Sequence, residues 1–201
     1  MPLRKLRSKA TLIMELNSNK LFIISDTHFC HNNIIKYCNR PFENADIMNE
    51  VLIDNWNKTV NKDDVILHLG DITAGAGKQK DQITREILAR LNGKKLFIRG
   101  NHDSGIKCVQ MLDAVSFNWC GIRIHCTHVP DYRFQPFGDF HLHGHIHQNT
   151  IKLEDSFNCS VENINYTPIR LSEIIEKHYD SKINSRGSDT VRELCEAGLG
   201  S

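Results

Sequence analysis

Aspartate, asparagine and histidine recur along this 201-residue chain in five short blocks. The blocks are Asp26-Thr27-His28, Gly70-Asp71, Gly100-Asn101-His102-Asp103, Thr127-His128 and Gly144-His145-Ile146-His147. Each follows a short apolar run that reads as a strand. Their side chains offer nitrogen and oxygen donors and no thiolate, a set suited to Mn²⁺, Fe, Zn²⁺, Co²⁺ or Ni²⁺ rather than to a soft metal. Two such ions held side by side do hydrolytic chemistry, because they polarise a substrate oxygen and lower the pKa of a water. The neighbouring glycines let the backbone turn sharply next to the donors. Taken singly, each block has an ordinary explanation: Asp-Thr-His as a surface turn, Gly-Asp as a turn or helix cap, Asn-His-Asp as a capping cluster. Five in this order are not explained that way.

The elements that must position the blocks follow from hydrophobic spacing. Leu12–Leu16 and Leu21–Ser25 are apolar runs split by Asn17-Ser18-Asn19-Lys20 and read as a hairpin. Asn44 is placed to cap a helix running to about Val60, with Ile47, Val51, Leu52 and Trp56 at helical spacing. Val65–Leu69 reads as a buried strand, Asp81–Leu91 as a second helix ended by Asn92-Gly93, and Lys94–Arg99 as the next strand. After Asn101, short runs at Val115–Trp119, Ile122–Cys126, Phe140–His143 and Thr150–Leu153 suggest a mostly antiparallel second sheet. Ser172 is a plausible cap for a last helix to about Lys177, supported by Glu173 and Lys177 four apart. A β-α-β-α-β half followed by a strand-rich half predicts an α/β fold of two stacked mixed sheets flanked by helices. Sites in open sheets gather at the carboxyl ends of strands, which is where the blocks fall.

The length suits one domain, taken as residues 1–183, with a polar tail over 184–201 that is expected to be disordered. The basic start, with Arg4, Lys5, Arg7 and Lys9, reads as solvated, and the apolar stretch after it is too short for a secretory signal. A net charge of +1 gives no broad attraction to nucleic acid, and no apolar stretch reaches membrane-span length. Seven scattered cysteines without a Cys-x-x-Cys pair fit reduced thiols in a cytoplasmic protein.

The five blocks resemble the calcineurin-like metallophosphoesterase superfamily, whose pattern is D-x-H, G-D, G-N-H-D/E, H and G-H-x-H. The likeness spans roughly Leu21 to Ile175. The stretch Ile24–Phe29, with His31–Ile35 and Asn39-Arg40-Pro41-Phe42, looks like a small single-domain subgroup of bacterial and phage type. The resemblance implies a four-layer fold and two divalent metal ions, Mn²⁺ foremost. It also implies hydroxide attack on the phosphorus of a small phosphodiester or nucleotide-type substrate, with a phosphomonoesterase as the alternative. One ion would be held by Asp26, His28, Asp71 and His147, and the other by Asp71, Asn101, His128 and His145. Asp71 would bridge them. His102 would be the general acid, and Asp103 would either orient it or shape the turn. Protein phosphatases of the superfamily carry Asp-Arg-Gly after Gly-Asp; here Ile72-Thr73-Ala74 follows, which disfavours that activity.

Around these ligands, Asn101, His102 and His31 are candidates to meet substrate, and Arg40 and Arg133 are candidate phosphate clamps, since guanidinium binds phosphate bidentately. His68 and His125 read as core residues, His178 as solvated, and one of His141 and His143 as a residue supporting a ligand. Cys126 reads as packing. Gly75-Ala76-Gly77-Lys78 lacks the P-loop pattern. Two rivals remain: an inactive scaffold of the same fold, which should have lost a ligand or His102, and a nucleic-acid-binding module, which should show a basic stripe. The expected partner is a small phosphate-ester substrate, with no membrane and no strong nucleic-acid binding. The oligomeric state is left open.

Overall fold

A computed structural model describes residues 20–75 and 77–183. The Leu12–Leu16 half of the expected hairpin and the 184–201 tail lie outside them. The order of elements is β1 (Leu21–Ile24), α1 (Asn32–Tyr37), α2 (Ala45–Thr59), β2 (Val65–His68), α3 (Gly77–Arg90), β3 (Lys94–Phe97), β4 (Ala114–Trp119), β5 (Ile122–Thr127), β6 (Phe140–His143), β7 (Ser156–Asn158), β8 (Ile169–Arg170) and α4 (Leu171–Ile183).

They form two four-stranded sheets, ordered β3-β2-β1-β8 and β4-β5-β6-β7. In the first, β1 and β3 run parallel to β2, and β8 is antiparallel to β1. In the second, β4 is antiparallel to β5, and β5, β6 and β7 are parallel. The second sheet is therefore mixed rather than mostly antiparallel. Its last strand is Ser156–Asn158, not Thr150–Leu153, which forms no strand. Every residue of β1, β2 and β6 is buried, as expected of parallel strands covered on both faces. No helix among the described residues is long and apolar enough to cross a membrane.

Asn44 caps α2 by accepting the Ile47 N–H at 2.9 Å. The buried stripe is Ala45, Met48, Asn49, Leu52, Ile53 and Trp56, whereas Ile47 is exposed. The helix thus carries two apolar stripes at helical spacing, and the core takes the one with the tryptophan. Trp56 Nε1 donates to the Asn92 carbonyl at 3.0 Å and so ties α2 to the turn after α3. That turn needs Gly93, whose φ is +84° and where a Cβ would run into Val60.

Two further findings depart from the sequence reading. His178 is half-buried and pairs with Asp155 at 2.9 Å rather than standing in solvent. Among the described cysteines, Cys30, Cys38, Cys108, Cys126 and Cys159 are free thiols, but Cys120 is disulfide-bonded.

The two sheets meet at their carboxyl ends. The Ser25 N–H donates to the Cys159 carbonyl at 2.9 Å and its carbonyl accepts from Val161 at 3.1 Å, so the chain leaving β1 is stitched to the chain leaving β7. This seam brings the end of one sheet against the end of the other.

Two buried histidines make stability pH-dependent. His68 accepts the Gly70 N–H at Nδ1, at 3.1 Å, and its Nε2 meets Thr27 Oγ1 at 2.9 Å. His141 sits between the His125 carbonyl and the Asp131 N–H, both at 3.1 Å. Burial pushes His68 down to about 3 and His141 down to about 4. Both stay neutral in the native protein under conditions where the unfolded chain, with histidine near 6.5, takes up protons. Stability should therefore fall as pH drops from about 6.5 toward 4, by up to ~1.4 kcal/mol per pH unit for each. Urea midpoints of the chelated protein at pH 7, 6 and 5 check this, and His141→Gln should flatten the slope. A wild-type midpoint unchanged from pH 7 to pH 5 would contradict it.

Candidate functional site

The first two blocks sit where the parallel β1–β2 ladder runs on past the strands. Asp26 N–H donates to the Gly70 carbonyl, His28 N–H to Asp71 and Phe29 N–H to Ile72, at 3.0, 3.0 and 2.8 Å. His68 joins them from below: its Nε2–H donates to Thr27 Oγ1, and the Thr27 hydroxyl in turn donates to the Ile72 carbonyl at 2.9 Å. The last two blocks repeat the arrangement in the other sheet, with the Gly144 N–H on the His128 carbonyl at 2.9 Å.

The backbone here is strained. Asp26, His28, Asp71, His145 and His147 all have left-handed φ, at 57°, 47°, 58°, 70° and 50°. Such residues cost roughly 1–2 kcal/mol each unless they bond locally. This conformation lets His145 and His147, two apart, both face the site. Gly144 was expected to make that turn. Its role is instead spatial: a Cβ there would overlap Ser25 Oγ and the Asp26 carboxylate. Gly100 is tight in the same way against Asp71, and a Cβ at Gly70 would strike Gly100.

Two groups of donors result. In one, Asp26, His28 and His147 offer atoms all within 4.8 Å of one another; in the other, Asp71, His128 and His145 do so. Asn101 Oδ1 completes the second group, 2.9 Å from His128 Nε2 and 2.8 Å from His145 Nδ1. Asp71 Oδ2 stands between the groups, 3.5 Å from His28 Nε2 and 3.4 Å from His128 Nε2. One oxygen thus faces both, while Oδ1 accepts the His102 N–H at 2.7 Å.

The donor set fits cations. Asp26 Oδ1 and His28 Nε2 are buried, have no hydrogen-bond partner among the described residues and lie 3.9 Å apart. Ligands about 2.1 Å from one ion stand roughly 3–3.5 Å from each other, so these spacings approach those of ligands sharing an ion. Buried polar atoms without partners are otherwise costly. The remaining atoms of these side chains are fixed from behind. Asp26 Oδ2 accepts from Ser160 Oγ at 3.0 Å and His145 N–H at 2.9 Å. His128 Nδ1 donates to the Leu69 carbonyl at 2.9 Å, which leaves Nε2 directed at Asp71 and Asn101.

In the metal-free protein, charge is distributed accordingly. Burial pushes the Asp26 carboxyl above the usual carboxylate range, only partly offset by His128 and His147. Burial would raise Asp71 too, but the His128 and His28 imidazoles and the His102 N–H outweigh it and hold it below that range. Burial lowers His28 to about 2, so its ring is a neutral donor. Burial would also lower His128, but Asp71 and Asp26 raise it.

The other expected residues divide. His102 is exposed, its ring 5.2 Å from that of His28 and 6.3 Å from that of His31. His31 is half-buried, its Nδ1 3.4 Å from His28 Nδ1. Arg40 is not a phosphate clamp. Its side chain is fully buried, and it donates to the Asp26 carbonyl at 2.7 Å, the Thr27 carbonyl at 3.0 Å and Glu162 Oε1 at 2.9 Å. Arg133 is exposed, and among the described residues only its backbone N–H is engaged, by Asp131 at 2.9 Å. Asp103 does not orient His102. It is buried, and its carboxylate accepts the N–H groups of Gly100, Asp71 and Ile72 at 2.7, 2.9 and 2.9 Å.

Sequence reasoning missed Glu162, which meets His147 Nδ1 at 3.0 Å, and Lys80, whose buried ammonium donates to the His102 carbonyl. No motif marks either, since both act on blocks far away in sequence.

A family model described as Calcineurin-like phosphoesterase matches residues 20–196. An uncharacterized protein of Methanocaldococcus jannaschii is 41% identical over 169 residues, covering 80% of this chain and 92% of its own length. A protein of unknown function from Aquifex aeolicus has a similar crystal structure, with a TM-score of 0.62 and 27% identity, covering 77% of this chain and 97% of that one.

The geometry makes a prediction about Asp103. An amide in its place can accept on one oxygen only and turns its NH₂ against the remaining backbone donors. Asp103→Asn should cost about 3 kcal/mol, lowering Tm by roughly 6–12 °C, and should weaken metal retention. A residue serving only the acid would leave the melting temperature of the chelated protein unchanged, and calorimetry tells the two apart.

Proposed function

The chain belongs to the calcineurin-like phosphoesterase family, and on that premise we propose that it is a dinuclear metal-dependent phosphoesterase acting on a small phosphodiester or nucleotide-type substrate. The observation that carries this reading is the Asp71 Oδ2 atom, 3.5 Å from a donor of one group and 3.4 Å from a donor of the other. A carboxylate oxygen so placed suits a bridge between two cations.

Asp26, His28, Asp71 and His147 would hold the first ion, and Asp71, Asn101, His128 and His145 the second. Mn²⁺ is the ion we propose; Fe, Zn²⁺, Co²⁺ and Ni²⁺ fit the same oxygen and imidazole donors. When bound, the pair supplies Lewis acidity toward the phosphoryl oxygens and a water acidic enough to be deprotonated near neutral pH. The side chains do the rest. Asn101 adds a neutral oxygen, which limits the negative charge that faces the phosphate. His102 delivers a proton to the leaving oxygen; its backbone is pinned to Asp71 and its ring is open to solvent. His31, beside it, lines the approach.

An inactive scaffold is the weaker reading, because the ligand residues and His102 are all retained. The choice of a diester rests on arginine. A monoester dianion calls for an added cation beside the metals, and Arg40 has its guanidinium committed to Asp26, Thr27 and Glu162.

Two measurements test the proposal. Under identical Mn²⁺ loading, kcat/KM for bis-p-nitrophenyl phosphate should at least equal that for p-nitrophenyl phosphate. A monoester preference above about 100-fold, roughly 2.7 kcal/mol, sinks the diesterase and promotes the phosphatase alternative. His102→Ala should keep its metals and lose about 10²–10⁴-fold in kcat on alkyl esters, with a smaller loss on p-nitrophenyl esters, whose leaving group needs little protonation. An equal loss on both would remove His102 from the acid role.

A further inference from the structure

Glu162 lies in a short 3₁₀ turn, Val161–Asn163, in the seam that joins the two sheets. Its side chain is only 5% exposed. Oε1 receives Arg40 Nη2 at 2.7 Å and Arg40 Nε at 2.9 Å, and it meets His147 Nδ1 at 3.0 Å. The same guanidinium reaches the carbonyls of Asp26 and Thr27. The seam also grips His147 by its backbone: the amides of Asn158 and Asn163 both donate to the His147 carbonyl at 2.7 Å.

Cys38, His147 and Glu162 bring a sulfur, a nitrogen and an oxygen within 4.8 Å of one another, which could be taken for a further cation site. Arg40 argues against that. A guanidinium already supplies the positive charge on Glu162 Oε1, and it is too tightly held by two backbone carbonyls to give way. The more economical reading assigns this cluster to the ring of His147.

We propose that Glu162, held in place by Arg40, is a positioning residue for the metal ligand His147. By accepting from Nδ1–H, the carboxylate fixes the ring orientation and leaves Nε2 as the free nitrogen for Asp26 and His28 to share a cation with. A hydrogen-bonded carboxylate also makes the imidazole a stronger donor. Arg40 adds a second effect: one planar group sets the distance between the Asp26-Thr27 backbone and the His147 ring, so two ligand blocks remote in sequence are held in register. The proposal rests on the dinuclear reading above and concerns its first ion only.

The test is Mn²⁺ binding, read by calorimetric titration and metal content on chelated and reloaded protein. Wild type should take two ions. Glu162→Ala should weaken one of the two sites by about 10–100-fold and leave the other unchanged. Glu162→Gln, which keeps the shape and one acceptor oxygen, should lose less. Adding Asn101→Ala to Glu162→Ala should remove the remaining ion, which identifies the weakened site as the first. Melting of the metal-free Gln variant separates positioning from a purely structural role. Two sites of wild-type affinity in Glu162→Ala overturn the proposal. So does equal weakening of both sites together with a large fall in metal-free Tm. If Glu162→Ala does not fold, Glu162→Gln with both affinities unchanged overturns it. Fewer than two ions in wild type overturns the dinuclear reading and the proposal with it. Hydrolysis enters nowhere, so an error in the substrate class leaves the outcome unaffected.

Discussion

Gly100 packs against the Asp71 backbone so closely that a Cβ on Gly100 would overlap the Asp71 carboxylate, and one on Gly70 would meet Gly100 and His128. The approach is closed by Asp103, whose carboxylate accepts three N–H groups, from Gly100, Asp71 and Ile72. Charge-assisted bonds of this kind are about twice as strong as neutral ones. The placement of Asp71 and of the Asn101-His102 block follows from this contact. It sets Asp71 Oδ2 between His28 and His128, brings Asn101 to His128 and presents the His102 N–H to Asp71 Oδ1. Without it, the β2 and β3 ends would be two independent loops.

The donors around this contact are held in strained backbone. Five of the seven donor residues hold left-handed backbones, and two buried donor atoms, on Asp26 and His28, have no hydrogen-bond partner among the described residues. Each is unfavourable for the metal-free fold. The stitching of both sheets at Ser25 and Cys159, the fully buried strands beneath and the His68–Thr27 linkage offset that cost. A donor set that is under-satisfied when empty gains the most when a cation arrives, so metal binding and folding stability are coupled here.

The parts of this arrangement visible in the sequence were those carried by local chemistry. The five blocks show because donors and glycines stand side by side at the ends of apolar runs. Strands β2 and β6 and helix α2 show because their apolar periods are clean. What did not show depends on distant partners. Arg40 has the composition of a phosphate clamp, and only the fold reveals that two carbonyls and Glu162 use up its donors. Glu162 stands 15 residues beyond His147 with no spacing to link them. Asp103 follows a histidine it does not touch and serves a loop 31 to 32 residues earlier. Strand β8 is two residues long and α1 only six, too short for a period. The parallel order of β5, β6 and β7 is invisible to a reading that joins neighbouring runs by hairpins.

Charge connects the buried arginine to the proposed substrate. Glu162 is balanced by Arg40, and Asp103 by backbone dipoles, so neither adds net charge to the cleft. On the proposed dinuclear reading, that leaves Asp26 and Asp71 as the carboxylates that would face the two ions. Two divalent cations against two carboxylates leave two positive charges. An attacking hydroxide and a phosphodiester monoanion neutralise both, whereas a monoester dianion leaves one negative charge in a confined space where it is poorly screened. Enzymes meet that excess with an arginine whose planar fork fits the phosphate. Here the buried arginine turns its fork to the protein's own carbonyls and carboxylate. The interaction proposed to align His147 thus also withdraws Arg40 from any phosphate, and the proposed preference for a diester rests on how the site is built rather than on any group that contacts the substrate.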